Sequence, residues 1–252
     1  MTIRIGTSGW QYRHWKKSFY PEKLRRADWL PYYATLFNTV EVNTSFYRLP
    51  ETDDIRRWRD STPEEFRFSV KAPRSITHFK KLKNCESLLG VLIARLKAFG
   101  ERLGPVLFQL PPRWRCNPRR LGEFLLMLPS GGRFAFEFRD PSWHCEEVYA
   151  LLAKHRAAFC VFDLDGQTSS LETPGDFAYV RLHGPRASYT GNYRAQALRS
   201  WSGRALGWQR KDKDVYVYFD NDARAYSAKN ARRMLGMMQA EHQSPAAAAA
   251  RG

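Results

Sequence analysis

The 252-residue sequence predicts a single α/β domain, a TIM-like (β/α)₈ barrel, on three observations. Eight short stretches alternate apolar and polar residues, as strands do when one face is buried against helices. Helical periodicity follows most of these stretches, which is the order expected for parallel β/α units. Polar residues gather where the strands end, as at the mouth of a barrel. An open doubly wound sheet would instead require strands that are apolar on both faces.

The first four predicted strands cover residues 3–6, 39–43, 66–71 and 106–110. In the third strand Phe66, Phe68 and Val70 alternate with Arg67, Ser69 and Lys71. Helical spacing of apolar residues predicts helices near 30–37 and 89–99, and a weaker one near 55–58. These elements form the first half of the predicted barrel.

The remaining strands are predicted within 133–143 and at 158–162, 177–183 and 215–219. Helices are expected near 121–128, 148–152, 198–201 and 231–238, and Asn117 with Pro118 is typical of an N-cap followed by a first helical residue. The segment 163–176 has no helical period and contains Gly166 and Pro174, so the barrel is expected to lack a regular helix after strand six. The domain is predicted to span 1–240, followed by a disordered Ala-rich tail over 241–252.

The composition favours a protein with anionic partners. Lys and Arg number 41 against 25 Asp and Glu, a net charge of +16. Such a charge attracts phosphorylated metabolites or nucleic acid, although an Arg-rich solvated surface is the alternative interpretation. No apolar run approaches membrane-spanning length, and the N-terminus enters a strand directly, so we expect a cytoplasmic protein with no membrane partner. Four dispersed cysteines with no C-x-x-C pair are expected to be free thiols.

The polar residues at the strand ends define a predicted site. They are Ser8, Glu41, Asn43, Lys71, Gln109, Glu137, Arg139, Asp163, Arg181, His183, Asp220, Asn221 and Asp222. A hydrogen-bonded polar layer inside the barrel is the structural alternative, but so many residues of both charge signs favour a functional site, because buried unmatched ions are costly.

Four of these residues are predicted to be catalytic. Glu41 and Glu137 come from strands nearly opposite each other, so an acid and a base could flank a substrate there. Arg139 would keep Glu137 ionised, while an apolar setting could raise the pKa of Glu41. His183 is a proton-shuttle candidate, and Lys71 would either form a Schiff base or, as the favoured reading, bind a phosphate or carboxylate.

The loops that follow the strands are rich in basic and aromatic residues, which suit phosphate binding and ring stacking. The basic residues are Arg13, Lys16, Lys17, Arg74, Lys80, Lys81, Lys83, Arg113, Arg115, Arg139 and Arg186; the aromatic residues are Trp10, Trp15, Tyr47, Trp114, Trp143, Tyr189 and Tyr193. Any one of these rings could belong to the core instead, Trp143 in particular. The residues predicted to bind substrate are Asn43, Tyr47, His78, Gln109, Arg139, Trp143, Arg181, Tyr189, Asn221 and Asp222.

Seven motifs resemble the YecE-like family, domain of unknown function 72. They are G-T-S-G-W (6–10), V-E-V-N-T-S-F-Y-R (40–48), F-S-V-K-A-P with I-T-H (68–78), F-Q-L-P-P (108–112), F-E-F-R-D-P-S-W (136–143), V-R-L-H-G (180–184) and Y-F-D-N-D (218–222). The resemblance covers residues 3–238 and implies a TIM-barrel-like fold without a settled activity. It maps the family's motif residues onto Glu41, Asn43, Lys71, His78, Gln109, Glu137, Arg139, Arg181, His183, Asn221 and Asp222. Asp220 stands where the family usually has Asn, and Thr44-Ser45 replaces the usual order S-T.

Two functions follow from these observations. The leading hypothesis is an enzyme that performs acid–base hydrolysis, lyase or isomerase chemistry on a phosphorylated or nucleotide-like sugar. The alternative is a non-catalytic nucleic-acid-binding protein that uses the basic, aromatic loops. The cofactor is left open: a divalent metal held by Glu41, Glu137, His183 and Asp222 is the less favoured possibility, since the chain has only six His. No phosphate-binding Gly-rich loop, H-E-x-x-H or G-x-S-x-G occurs.

Overall fold

Eight parallel strands form the centre of the protein in a computed structural model, which describes residues 1–186 and 188–243. The parallel strands are β1 (Ile3–Thr7), β2 (Thr39–Val42), β3 (Arg67–Lys71), β4 (Leu103–Gln109), β5 (Phe134–Glu137), β6 (Ala158–Leu164), β8 (Phe177–Leu182) and β9 (Asp214–Phe219). A two-residue strand, β7 (Gln167–Thr168), pairs antiparallel with the end of β6. The predicted barrel strands are therefore confirmed, with small differences at their ends.

The sheet runs in the order β1-β9-β8-β6-β5-β4-β3-β2, so β1 and β2 lie at its two edges. These edges meet just beyond β1, where Ser8 forms a bridge with Glu41 and the Gly9 N–H donates to the Glu41 carbonyl at 2.8 Å. Gly6 permits this approach, because a Cβ atom there would lie 2.1 Å from the Thr39 carbonyl oxygen. The sheet is thus nearly closed into a barrel.

Seven α-helices surround the strands in the described residues. They are α1 (Trp29–Ala34), α2 (Thr52–Asp60), α3 (Glu86–Leu96), α4 (Pro118–Leu126), α5 (Glu146–Lys154), α6 (Ala195–Gln209) and α7 (Tyr226–Gln243). Asn117 caps α4 as predicted, its side chain accepting from the Arg120 N–H at 3.0 Å. The connection from β6 to β8 contains β7 and no helix, which confirms the predicted gap. The last helix continues to Gln243, three residues into the predicted tail, and the rest of that tail, 244–252, lies outside the described residues.

Alternation along the strands separates two apolar regions. Outward-facing residues such as Phe68, Phe136 and Val180 pack beneath the helices in the main core. A smaller cluster fills the barrel interior and consists of Leu107, Ala135, Ala158, Cys160, Phe177, Tyr179, Tyr216 and Tyr218. The Tyr218 hydroxyl hydrogen-bonds to Thr39 and Ser69 across the interior, at 2.7 Å each. Side chains therefore fill the lower part of the barrel interior, and the ionic residues lie above it, toward the carboxyl ends of the strands.

Candidate active site at the barrel mouth

Arg181 organises the ionic layer at the mouth. It is the inward-facing residue near the end of β8, and its side chain is 1% exposed. Its Nη1 atom donates to Glu137 Oε2 at 2.8 Å, and its Nη2 atom lies 2.8 Å from Glu41 Oε1 and 2.9 Å from Asp220 Oδ2. Three carboxylates from three other parts of the barrel thus converge on one guanidinium group. Burial alone would lower the pKa of Arg181, but these carboxylates raise it well above its ordinary value.

Glu137 forms the second part of this layer. Its carboxylate is fully buried and also accepts a hydrogen bond from Arg139 Nε. Burial would raise the pKa of Glu137, but the guanidinium groups of Arg139 and Arg181 outweigh it and hold the pKa well below the usual value. The predicted ionisation of Glu137 by Arg139 agrees with this contact. A carboxylate held in this way is a poor proton donor.

The tautomer of His183 follows from its two neighbours. Arg139 Nη2 lies 3.1 Å from His183 Nε2, and Asp220 Oδ2 lies 3.0 Å from Nδ1. A guanidinium group can only donate, so Nε2 accepts and the ring carries its proton on Nδ1, which donates to Asp220. His183 is fully buried, with the Tyr189 ring 5.4 Å away by centroid. In this arrangement its imidazole fixes the position of Arg139.

Glu41 occupies a polar setting, where the sequence led us to expect an apolar one. Its carboxylate is fully buried and accepts hydrogen bonds from Ser8, from the Tyr179 hydroxyl at 2.6 Å and from Arg181. The Arg181 guanidinium bridges Glu41 and Glu137, so the space between the two predicted catalytic carboxylates is filled by protein. The expectation that they flank a substrate is therefore wrong for this conformation.

A cleft of about 820 Å³ opens above this buried layer. It is lined by Phe46, Tyr47, Lys71, His78, Gln109, Pro112, Arg139, Pro141, His144, Phe162, Leu164, Asp165, Gln167, Thr168, Ser169 and Tyr189. Six residues of the predicted site line it: Tyr47, Lys71, His78, Gln109, Arg139 and Tyr189. Glu41, Glu137, Arg181 and His183 lie below it, each at most 1% exposed.

Lys71 is a basic side chain of the cleft whose positive charge is not matched by an ion pair in the described residues. It is 9% exposed, and its ammonium group lies 4.2 Å from the centre of the Phe46 ring. No carboxylate forms an ion pair with it in the described part of the chain. Burial, followed by the positive charge of Arg181, lowers the pKa of Lys71 to about 8. The sequence contained no sign of this desolvation, because it depends on how Phe46 and the cleft walls close around the amine.

The remaining polar groups of the cleft are mostly neutral. Burial and the nearby charges of Lys71, Arg139 and Arg74 lower the pKa of His78, so its imidazole is neutral at pH 7. Its Nδ1 atom lies 2.9 Å from the Thr77 hydroxyl. Gln109 donates its amide to the Leu110 carbonyl at 2.7 Å. The floor of the cleft therefore combines two cations with neutral hydrogen-bonding groups.

Three of the predicted binding residues, Trp143, Asn43 and Asn221, lie outside this cleft. Trp143 is fully buried, stacks on Phe138 at 4.7 Å and donates its indole N–H to the Trp114 carbonyl, so its assignment as a substrate-binding residue is corrected to a core role. Asn43 lines a smaller adjoining pocket of about 200 Å³. Asn221 is buried and donates to the Gly191 carbonyl at 2.7 Å.

Asp222 and Asp163 also point away from the cluster. The carboxylate of Asp222 lies 3.5 Å from His14 Nε2 at the outer rim. Asp163 lies on the helix-facing side of β6, and burial raises its pKa, although Tyr193 and Trp201 act in the opposite direction. Alternation explains this placement, since Phe162 takes the inward position and lines the cleft.

The aromatic residues of the mouth loops are mostly structural. Trp10, Trp15, Trp143 and Tyr193 are each at most 4% exposed, whereas Tyr47 and Tyr189 are 70% and 45% exposed. Phe79, which the sequence analysis did not single out, is 72% exposed. The Arg74 guanidinium lies 5.5 Å from the Tyr47 ring and 5.3 Å from the Phe79 ring. The position of Phe79 in the loop that follows β3 was the feature of the sequence that could have indicated its place at the mouth.

The metal hypothesis has no matching geometry in the residues described. Within 1–186 and 188–243, no group of three or more His, Cys, Asp or Glu side chains is arranged to hold an ion. The set proposed from sequence is divided, because Asp222 lies apart and Arg181 occupies the centre of the carboxylates. The residues present therefore do not fit the proposed metal.

The fold and the cleft together define a (β/α)₈-barrel protein with a cationic, partly closed mouth. Residues 4–251 match the family described as "Protein of unknown function DUF72". The chain belongs to this family, which confirms the resemblance found in the motifs.

Two relatives extend this result. The UPF0759 protein YecE of Escherichia coli is 33% identical over 144 residues, which cover 56% of this chain and 50% of YecE. The matched part thus spans about half the length of that relative. The UPF0759 protein YunF of Bacillus subtilis is 26% identical over 95% of this chain and 96% of its own length.

The solved structures support the fold. A DUF72 family protein from Thermotoga maritima aligns with a TM-score of 0.85 at 30% identity, covering 95% of this chain and all of that one. A DUF72 family protein from Enterococcus faecalis aligns with a TM-score of 0.81 at 18% identity, covering 94% and 96% of the two chains, and supports the fold alone. No helix in the described residues is long and apolar enough to cross a membrane.

Proposed function

We propose that the protein is an enzyme that binds a small anionic molecule, of the phosphorylated or nucleotide-like sugar class, in the mouth cleft and acts on it by acid–base chemistry. The reaction class is hydrolysis, elimination or isomerisation. The observation that carries the proposal is the pair of cations, Lys71 and Arg139, on the floor of a cleft about 820 Å³ in volume. That volume suits a ligand of metabolite size.

The charge of the floor favours an anion. Asp165, at the exposed edge, is the cleft's acidic lining residue among those described, and its carboxylate accepts from Ser188 at 2.7 Å. An anionic group bound beside Lys71 would form an ion pair with a buried ammonium, which is favourable because that charge is already desolvated.

The buried layer below supplies rigidity. Glu137 and His183 hold the Arg139 side chain from two directions, through Nε and Nη2. A guanidinium fixed before binding loses little side-chain entropy when the ligand arrives. In this proposal Glu137, His183 and Arg181 are positioning residues, and Arg139 is the group that contacts the anion.

In this proposal Lys71, and not Glu41 or Glu137, transfers the proton. Its pKa of about 8 lies close to neutrality, where a group exchanges protons most effectively. His78 lines the same cleft as a neutral imidazole and is the second candidate for proton transfer. The sequence-based assignment to Glu41 and Glu137 is less suitable, since both carboxylates are covered and bound to Arg181.

Calorimetric titration tests the binding step. Ribose 5-phosphate should bind, ribose should bind far more weakly, and Lys71→Gln should weaken the phosphate-dependent part about 10- to 100-fold, as expected for loss of one charged hydrogen bond. Lys83→Gln removes an exposed lysine from the loop region that follows β3 and is the matched control. Equal affinity for ribose and ribose 5-phosphate, or an unchanged affinity in Lys71→Gln, would contradict the proposal.

Turnover is tested separately with a panel of sugar phosphates and nucleotides followed by phosphorus NMR. We expect at least one member to be converted by the wild type and left unconverted by Lys71→Gln. Conversion at equal rates by both proteins would remove Lys71 from the chemistry.

A second candidate, binding of single-stranded nucleic acid, is favoured by one observation. Arg74 lies between the exposed rings of Tyr47 and Phe79, and such an arginine–aromatic surface suits base stacking. Fluorescence anisotropy with a labelled oligonucleotide should then show affinity that falls steeply with salt and drops in Phe79→Ala. Binding that is absent or insensitive to salt would exclude this candidate.

A further inference from the structure

We propose that Lys71 is a covalent catalytic residue, an amine nucleophile that forms an imine with the carbonyl carbon of an anionic aldehyde or ketone in the cleft. The inference rests on the proposed function and narrows its substrate class to carbonyl compounds that carry a phosphate or carboxylate group. Lys71 is buried at the floor of the cleft, and Arg139 lines the same cleft.

The amine is held in place from both ends. The Lys71 backbone lies in β3, and its carbonyl accepts from the buried Ser45 hydroxyl at 2.6 Å. The side chain crosses the floor of the cleft and ends against the face of Phe46. The Phe46 ring carries no N–H or O–H group, so it donates no hydrogen bond to the nitrogen lone pair when the amine is neutral. The nucleophile is thus presented to the cleft in a fixed position.

Burial is the main cause that favours the neutral form of Lys71, and the positive charge of Arg181 from β8 acts in the same direction. The carboxylates of Glu137, Asp220 and Glu41 act in the opposite direction, but each one is already bound to Arg181.

With a pKa of about 8, about a quarter of Lys71 is neutral at pH 7.5. An ordinary lysine would be about a thousandth neutral at that pH. Desolvation beside another cation is a recognised way to activate a lysine for Schiff-base formation.

The chemistry balances without a further reagent. The Lys71 nitrogen attacks the carbonyl carbon, and the carbonyl oxygen takes up a proton to give a carbinolamine. The nitrogen then loses its second proton, the hydroxyl group takes up a proton as the carbon–oxygen bond breaks, water leaves, and a carbon–nitrogen double bond remains. His78, which lines the same cleft, is available to accept the proton released from nitrogen. Arg139 would hold the substrate's anionic group, so that the carbonyl stays near the amine.

Reductive trapping with pyridoxal 5′-phosphate, an absorbing anionic aldehyde, tests the proposal. The full-length protein is incubated with a limiting amount of the aldehyde, reduced with borohydride and mapped by peptide mass spectrometry. We expect the peptide that contains Lys71 to carry most of the label, and pyridoxal without phosphate to label it at least 10-fold more slowly. The labelling rate at Lys71 should rise with pH and level off above about 8, whereas exposed lysines continue to gain reactivity to pH 10.

Two variants complete the test. Lys71→Arg keeps the positive charge but cannot form an imine, and Lys83→Arg makes the same change at an exposed lysine. Label should disappear from the first variant and persist in the second. Label spread evenly over surface lysines of the wild type, or unchanged labelling in Lys71→Arg, would overturn the inference. Ribose 5-phosphate binding measured on the wild type separates the two proposals: binding without trapping refutes the imine alone, and absence of both refutes the anion site as well.

Discussion

Replacement of Arg181 by Met should destabilise the protein strongly, because three buried carboxylates depend on that guanidinium. Glu41, Glu137 and Asp220 lie 2.8, 2.8 and 2.9 Å from its nitrogens. Methionine fills much of the same volume but leaves these acceptors without their shared charge. Removal of one partner from a buried ion pair costs about 3–5 kcal/mol in the free energy of unfolding. For a chain of this size such a loss corresponds to a fall of roughly 6–20 °C in Tm.

The loss of stability in Arg181→Met should also depend on pH. In the wild type the pKa of Glu137 is lowered, despite burial, by Arg139 and then by Arg181, and the pKa of Asp220 is lowered by Arg181 and then by His183. Their contribution to stability is therefore present above the unfolded-state pKa of about 4 and is lost as the pH falls below it. In the Arg181→Met variant Arg139 still faces Glu137, but Arg181 no longer offsets the burial of either carboxylate, so both folded-state pKa values rise relative to the wild type. The variant's carboxylates then take up protons on acidification, and its deficit should shrink from pH 8 toward pH 5.

Urea denaturation at pH 8 and pH 5 measures both effects. Arg133→Met is the matched control, since Arg133 pairs with Asp214 at 2.7 Å but its side chain is 45% exposed. We expect a control loss of about 0–1 kcal/mol with no marked pH dependence. A deficit in Arg181→Met no larger than that of the control, or one that grows on acidification, would refute the charge-compensation argument.

Three further predictions test the barrel. Gly6→Ala should cost several kcal/mol or prevent folding, because the new methyl group would meet the Thr39 carbonyl, whereas Gly203→Ala on α6 meets nothing within 4 Å and should be neutral or stabilising by up to about 1 kcal/mol; thermal melts distinguish them. Tyr218→Phe removes a hydroxyl with two hydrogen bonds inside the barrel and should cost about 1–3 kcal/mol by urea titration, with no cost arguing against those bonds. Trp143→Ala should lower stability by about 3–5 kcal/mol yet leave the affinity of the folded protein for ribose 5-phosphate unchanged; a selective loss of affinity would return Trp143 to the site.

The strands and the missing helix could be predicted because they depend on local pattern. Phe66, Phe68 and Val70 on one face of β3, with Ser69 and Lys71 on the other, specify which side faces the barrel interior. Gly166 and Pro174 interrupt any helical period after β6. Each of these signals lies within a few residues of the feature that it predicts.

The site was harder to predict, because its behaviour depends on contacts between distant residues. Strand-end position correctly placed Arg181 near Glu41 and Glu137, but it could not show that the guanidinium lies between them. The desolvation of Lys71 likewise depends on Phe46, which belongs to a different loop. For Trp143, position in a mouth loop was a weak guide, since a loop residue can turn back into the core.

The balance of charge in the buried layer explains why Lys71 remains free to act. Three carboxylates face two guanidinium groups, so Arg181 and Arg139 nearly neutralise the layer without any contribution from Lys71. Asp220 supplies the third carboxylate and accepts a hydrogen bond from His183 Nδ1. That hydrogen bond leaves His183 Nε2 as an acceptor for Arg139, which turns the guanidinium toward the cleft floor. An amide oxygen at position 220 could also accept this hydrogen bond but would carry no charge. The particular effect of the Asp220 carboxylate is therefore to raise the pKa of Lys71, against the effect of burial. The lowered pKa of that lysine therefore reflects a compromise between burial beside Phe46 and the carboxylates beneath it.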